Sequence, residues 1–253
     1  MQKWWHSGEH QNRLERYVWN GFGLVLLVPV LLFSFLLGLV LLRGLRSADW
    51  QYVFSLNEGL LSMALVSTGM TLLALCIAFP FALASAVYLS EYSLPGIRRG
   101  FLVFIIDMLA SVPSVLYGMF GLLVFGRVLG LGQSILSGSC TLALMILPVL
   151  IRSSERALRE IDDNLREALR ALGGSDFQVL FWVVLPAAVP AVLAAVLRSV
   201  ARMFGSAAPV LLTVGISLPS GLPDIMQSGR SLPAHLYYSA LSALSGFDFA
   251  RVY

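Results

Sequence analysis

Five stretches of this 253-residue chain are apolar over lengths that match the thickness of a lipid bilayer. A hydrocarbon core about 30 Å thick is crossed by about 20 residues of helix. Residues 22–42, 70–89, 101–125, 134–151 and 177–197 reach or approach that length. A sixth apolar stretch, 207–217, is too short to cross alone. Prolines 29, 80, 113, 148, 186 and 190 sit in or beside these runs, a usage commoner in membrane helices than in soluble ones. Composition agrees: 58% hydrophobic, 12% charged, mean hydropathy +0.82. So apolar a chain excludes an ordinary water-soluble enzyme and, with so little charge, a disordered one. The reading is an all-α integral membrane protein.

A polar head of about twenty residues precedes the first run, which is 21 residues long. Cleavable leaders have apolar cores of about 7–15 residues, so this run is expected to be an uncleaved spanning helix. With the N-terminus placed in the cytoplasm, the inner segments carry Lys3, Arg13, Arg16, Arg98, Arg99, Arg152, Arg156, Arg159, Arg166 and Arg170. The outer ones carry only Arg43, Arg46 and Arg127. Cations favour the cytoplasmic side. A multi-pass protein of the inner (plasma) membrane with its N-terminus inside follows. A net charge of +3 is too small to suggest nucleic acid as partner.

The cytoplasmic loop 152–176 is the most informative segment. Leu158, Ile161, Leu165, Ala168/Leu169 and Leu172 recur in steps of three and four, which places them on one face of a helix. Arg156, Arg159, Glu160, Asp163, Arg166 and Arg170 occupy the other. Ser153 or Ser154 is expected to cap its start and Gly173-Gly174 to stop it. Ser175-Asp176-Phe177-Gln178 then reads as a capping box that opens a new helix. A helix lying on lipid would carry mostly cations. This one mixes acids and arginines, so a protein partner fits better.

Glu167-Ala168-Leu169, then Gly173, then Leu185-Pro186 after Val183-Val184, resemble the EAA loop of ABC-importer permeases. That pattern is E-A-A, three residues, Gly, nine residues, I-x-L-P. The spacing matches throughout, with Leu169 in place of the third alanine and Val183 in place of isoleucine. Three further stretches narrow the family. Residues 71–92 resemble the second helix of phosphate-importer permeases and end in Tyr88-Leu89-Ser90-Glu91. Residues 106–121 resemble their I-D-x-L-A-x-V-P-S-x-x-Y-G-x-F-G stretch. Residues 201–209 resemble the A-R-A-x-G-E-T-A-P stretch of the PstA type.

The resemblance spans about residues 60–240. It implies a type I permease bundle and a chain without bond chemistry of its own. A cytoplasmic tail (1–21), a first span with its external loop (22–59), a permease core (60–217) and a polar-amphipathic C-terminal segment (218–253) make up the expected organisation. No run after Leu212 is long enough to cross, so five clear spans are expected and the family's usual sixth is absent. The coupling residues implied are Glu167, Ala168, Leu169, Gly173, Leu185 and Pro186. The implied partners are an ABC ATPase dimer holding ATP and magnesium, a second permease of the PstC type and an extracytoplasmic phosphate-binding protein.

Arg198 and Arg202 lie 12 and 16 residues beyond Pro186, about 18 and 24 Å along a helix. Four apart, they share one face. An ionisable side chain at that depth normally faces a polar path, and a guanidinium fork suits an oxyanion. Snorkelling to the outer interface is the other reading. Ser206 and Ala207 replace the family's Glu-Thr, so Asp107 becomes a candidate partner for Arg202. Arg202, Arg198, Asp107 and Ser206 are the expected substrate path. The same replacement leaves open another oxyanion or small solute, and a homologue that keeps the fold but carries no flux. A membrane-embedded enzyme is disfavoured, since neither an H-E-x-x-H pair, a G-x-S-x-G elbow nor a phosphate-binding G-x-x-x-x-G-K-[ST] loop occurs. Cys76 and Cys140 lie in apolar runs and read as packing residues. His6 and His10 lack a third ligand, and no metal site is expected.

Overall fold

A computed structural model describes residues 25–39, 41–42, 50–55, 59–93, 96–217 and 224–244. The tail 1–21 with His6 and His10, and Arg43 and Arg46, expected on the outer side, lie outside the described residues. Every regular element among the described residues is helical, and the chain divides into units Met1–Val53 and Phe54–Tyr253. The first holds α1 (Val25–Leu39), an apolar helix within the expected span 22–42. α2 (Trp50–Phe54) straddles the boundary between the units.

Three long apolar helices dominate the second unit. α3 (Leu60–Val87) runs on through a π turn at Tyr88–Tyr92, giving a continuous helix of 33 residues. α6 is Ile135–Arg159. The short α8 (Asp176–Gln178), a π segment (Val179–Val184) and α9 (Leu185–Phe204) form one 29-residue helix. α3 is buried along Met70, Ala74, Ala78, Ala82 and Ala86, one residue in four. Small side chains at that spacing let two helix backbones approach closely, the usual solution where lipid supplies no hydrophobic drive between helices. α6 packs into that stripe with Leu142, Met145, Ile146 and Leu150, all fully buried.

The stretch 101–125, expected as one span, is bent. α4 (Ile97–Ala110) and α5 (Ser114–Gly121), which continues through a π segment to Val128, meet at 89°. Pro113 cannot donate a backbone hydrogen bond and disfavours helical geometry at Val112, so the helix stops at Ser111. Tyr117 Oη spans the break by donating to Leu109 O at 2.8 Å. α5 then lies tightly on its neighbours. A Cβ at Gly118 would come within 2.7 Å of the Pro209 backbone, and one at Gly121 would overlap Thr141. α10 (Ala207–Thr213) is the short helix that 207–217 allows.

The C-terminal segment folds back onto the bundle. Ile135 N donates to Gln227 O and Leu136 N to Ile225 O. α11 (Leu232–Leu244) enters by donating Leu232 N to Ser67 Oγ, with Ala234 fully buried. Arg230, itself buried, donates to Ile216 O.

Candidate functional site

The loop that sequence periodicity reads as one helix from Ser153 to Gly173 is two. α6 continues to Arg159, and α7 (Asp163–Ala171) starts after a break at residues 160–162. Neither Ser153 nor Ser154 is a cap: Ser153 Oγ donates to Val149 O inside α6, and Ser154 is buried there. The true cap is Asp162, which accepts from the Asn164 backbone N–H at 3.0 Å and from its amide at 3.2 Å. Those bonds, the backbone one first, hold its carboxyl below the ordinary carboxylate value. α6 persists because Ala157 and Leu158 are buried against Val179, Leu180 and Val184. Burial there outweighs the amphipathic pattern that runs on into α7.

The end of α7 follows the sequence expectation closely. Gly173 has φ +83°, its N–H bonds Arg170 O at 2.9 Å, and the Gly174 N–H bonds Leu169 O at 3.0 Å. That pair of bonds is a Schellman turn. It needs a left-handed residue at 173, which glycine provides without a Cβ penalty. The capping box at Ser175 is present, with Ser175 N donating to Gln178 Oε1 and Gln178 N to Ser175 Oγ. Arg170 pairs with Asp176 across the turn at 3.1 Å.

The expected single apolar face is divided between the bundle and solvent. Leu158 belongs to the core of α6, while Ile161 and Leu169 pack against the buried cluster beneath α7. Leu165 is 51% exposed, Leu172 85% and Phe177 63%. Glu167 and Ala168 are exposed beside them. α7 is thus a rod seated by one flank that presents leucines and a carboxylate on the other. Leu185 and Pro186 stand apart from this surface, at the foot of α9. Pro186 is separated by one residue from the π segment, whose wider turn is a common accommodation near a residue without a backbone donor.

Arg166 fixes the seat. Its guanidinium donates to Glu91 Oε1 at 3.1 Å, Leu158 O at 2.7 Å and Asp163 Oδ1 at 2.8 Å. One side chain therefore ties α7 to the π turn of α3 and to the end of α6. Beside it, Glu155 is 1% exposed and paired with Arg99, Arg152 and Arg159. Arg152 also pairs with Asp107 at 2.7 Å. Asp107 is accordingly the partner of Arg152 and not of Arg202. Arg152 and Arg159, expected as loop cations, lie on α6. Arg152 through Asp107 and Glu155 through Arg99 hold α4 to it, while Arg159 pairs with Glu155 along α6 itself.

The α9 arginines separate. Arg198 lines a cavity between α6 and α9. Arg202 lies one turn on, in the last turn of α9. Both are exposed and neither has an ion pair with a described residue. Ser206 Oγ donates to Arg202 O at 2.8 Å, so it closes the last turn of α9.

Residues 78–244 match the family model for the binding-protein-dependent transport system inner membrane component, well over half of the chain. The chain belongs to this family. Within it, the chain is 35% identical over 242 residues to the phosphate transport system permease protein PstA of Mycobacterium leprae, covering 91% of this chain and 77% of that one. It is 34% identical over 228 residues to a PstA homologue of Mycoplasma pneumoniae, covering 85% of this chain and 35% of that protein. A PstA homologue of Mycoplasma genitalium is 36% identical over 223 residues, 85% of this chain and 33% of its own length. The chain spans about a third of the length of these two Mycoplasma relatives. The resemblance to PstA-type permeases carried by the sequence motifs is therefore shown.

For this inner membrane component, the residues that sequence reasoning passed over are Glu155 and the pair Arg166–Glu91. Glu155 stands three residues after Arg152 and four before Arg159, so all three share a face if α6 is extended past Ile151. That periodicity was available. Glu91 lies in the Tyr88–Tyr92 motif, but no local pattern links it to a residue 75 positions later.

Proposed function

We propose that the chain is the transmembrane permease subunit of an ATP-driven importer of inorganic phosphate. The observation that carries this reading is α7, a short capped rod held by Arg166 and Leu169 and offering Leu165, Glu167 and Leu172 outward. An ABC ATPase dimer docks there, holds the ATP and magnesium, and moves the bundle as a rigid body between two states. A second, PstC-like permease completes the pathway, and an extracytoplasmic phosphate-binding protein delivers the solute. The similarity to PstA proteins supports phosphate. Arg98, Arg99, Arg152, Arg156, Arg159, Arg166 and Arg170 gather at the α7 end, which supports placing that end, and with it the N-terminus, in the cytoplasm.

ATP-dependent phosphate uptake into proteoliposomes holding this chain with its permease, ATPase and binding-protein partners tests the reading, with Glu167→Ala in parallel. Uptake that collapses in the variant is the expected result. An ATPase that never binds refutes the assignment of α7. Uptake of a different oxyanion or small solute is the second reading. Ser206 favours it, because its hydroxyl is engaged with a helix carbonyl and gives Arg202 no carboxylate.

A further inference from the structure

α6 and α9 diverge around a half-open cavity of about 460 Å³. Ser153 and Arg156 of α6 and its C-cap Glu160 line it on one side, and Ala191, Ala194 and Arg198 of α9 on the other. The alanines leave the space unfilled. The arginines reach it from two different helices, and Glu160 shares the first wall with Arg156. Five arginines at this end of the molecule, Arg99, Arg152, Arg159, Arg166 and Arg170, are each held by a carboxylate of the chain. Arg156 and Arg198 have no ion pair with a described residue, and Glu160 lies beyond ion-pair distance of both. Two guanidiniums against one carboxylate leave a net positive, solvent-reached cavity between the two helices. Ser153 Oγ is already donating to Val149 O, so the site's free donors are the two guanidiniums. Planar donor forks of that kind match the oxygens of a tetrahedral oxyanion.

We propose that Arg156 and Arg198 form a phosphate-type oxyanion site in the α7-side half of the bundle. It is distinct from the surroundings of Arg202, one turn further along α9 and outside the cavity lining. The proposal rests on the permease reading only in that Arg198 is placed on the anion path. Binding itself requires no transport. The cavity is larger than one bare phosphate, so its occupant is either free hydrated phosphate or the phosphate of an anionic lipid headgroup.

Equilibrium binding of radiolabelled inorganic phosphate to the assembled complex, without nucleotide or binding protein, tests this in phosphatidylcholine nanodiscs. Saturable binding should weaken about tenfold or more in Arg156→Gln and in Arg198→Gln, the effect of losing one charged hydrogen-bonding partner. Glu160→Gln should strengthen it. Ala194→Leu, which narrows the cavity and leaves every charge in place, should weaken it, as the two arginine variants do. A parallel series with phosphatidylglycerol, read by mass spectrometry of co-purified lipid, separates the sources. Phosphatidylglycerol retained by the parent and lost from Arg156→Gln, with no binding of free phosphate, assigns the headgroup. If neither ligand responds to Arg156, Arg198 or Ala194, the site does not exist. Uptake in the same preparations keeps the two claims apart. Uptake without an Arg156-dependent site overturns this inference alone, and a site without uptake overturns the importer reading alone.

Discussion

Arg166 offers the sharpest test of how α7 is held. Its contact with Asp163, a residue 84% exposed, contributes almost nothing. Its bonds to Glu91 and to Leu158 O are different, because Arg166 and Glu91 are only 12% and 14% exposed. A hydrogen bond to a charged group contributes about 1.5–3 kcal/mol. Two such bonds at the lower end, suited to a site still touched by solvent, give about 3 kcal/mol for seating α7. Arg166→Met keeps the apolar stem and removes all three bonds. It should raise the opening equilibrium of α7 about 150-fold, read as faster amide hydrogen exchange across residues 163–171 with little change in α3 or α6. Glu91→Gln keeps an acceptor and loses the charge, costing about 1 kcal/mol. The double variant should fall short of the sum by about that amount. Single-variant effects that add to within about 0.5 kcal/mol would show that the pair is not coupled, and the seating argument would fail.

Gly173→Ala forces a Cβ into a left-handed residue and should destabilise the turn by roughly 1–2 kcal/mol, visible as fraying of 169–174 in hydrogen exchange. Gly121→Ala overfills the contact with Thr141 and should cost about 1–3 kcal/mol, lowering the thermal midpoint of the purified chain, with recovery when Thr141→Ala is added. Glu155→Gln leaves Arg99, Arg152 and Arg159 without their shared carboxylate. Discounting for the partial exposure of the arginines, it should cost about 2–3 kcal/mol, and α4 should loosen from α6, measured by spin-label distances between the two. The Asp162 cap has a depressed carboxyl value. Its contribution should be complete above about pH 4, the ordinary carboxylate value, and fade as pH falls through the lower folded one. Asp162→Asn, an equally good cap, should flatten that profile when the Asn164 amide signal is followed by NMR.

Much of this architecture was legible because lipid imposes simple rules. Run length marked the spanning helices, and Gly173 with the Ser175–Gln178 box marked the turn, since each depends on a few adjacent residues. The failures were of another kind. Periodicity alone runs from Ser153 to Leu172 without interruption, and only the burial of Ala157 and Leu158 against residues 179–184 shows that α6 carries on while α7 begins anew. Hydropathy counted 101–125 as one span because it is blind to direction, yet Pro113 turns the chain through 89°. Charges read for orientation alone concealed their chemistry: Arg152 and Arg159 were cations in a tally, whereas in the fold they converge with Arg99 on Glu155. Asp107 was matched to Arg202 on family expectation, and only three-dimensional neighbourhood could assign it to Arg152.

The burial of Glu155 has a bearing on handling the protein. Mobile ions screen pairs that water reaches and affect enclosed ones far less. Arg170 and Asp176, 50% and 77% exposed, would lose their attraction in concentrated salt, as would any charged contact made by the open flank of α7. The carboxylate of Glu155, 1% exposed among its arginines, would not. A high-salt wash that strips whatever soluble subunit docks on α7 under the proposed function should therefore leave the Glu155 end of α4 and α6 locked as before.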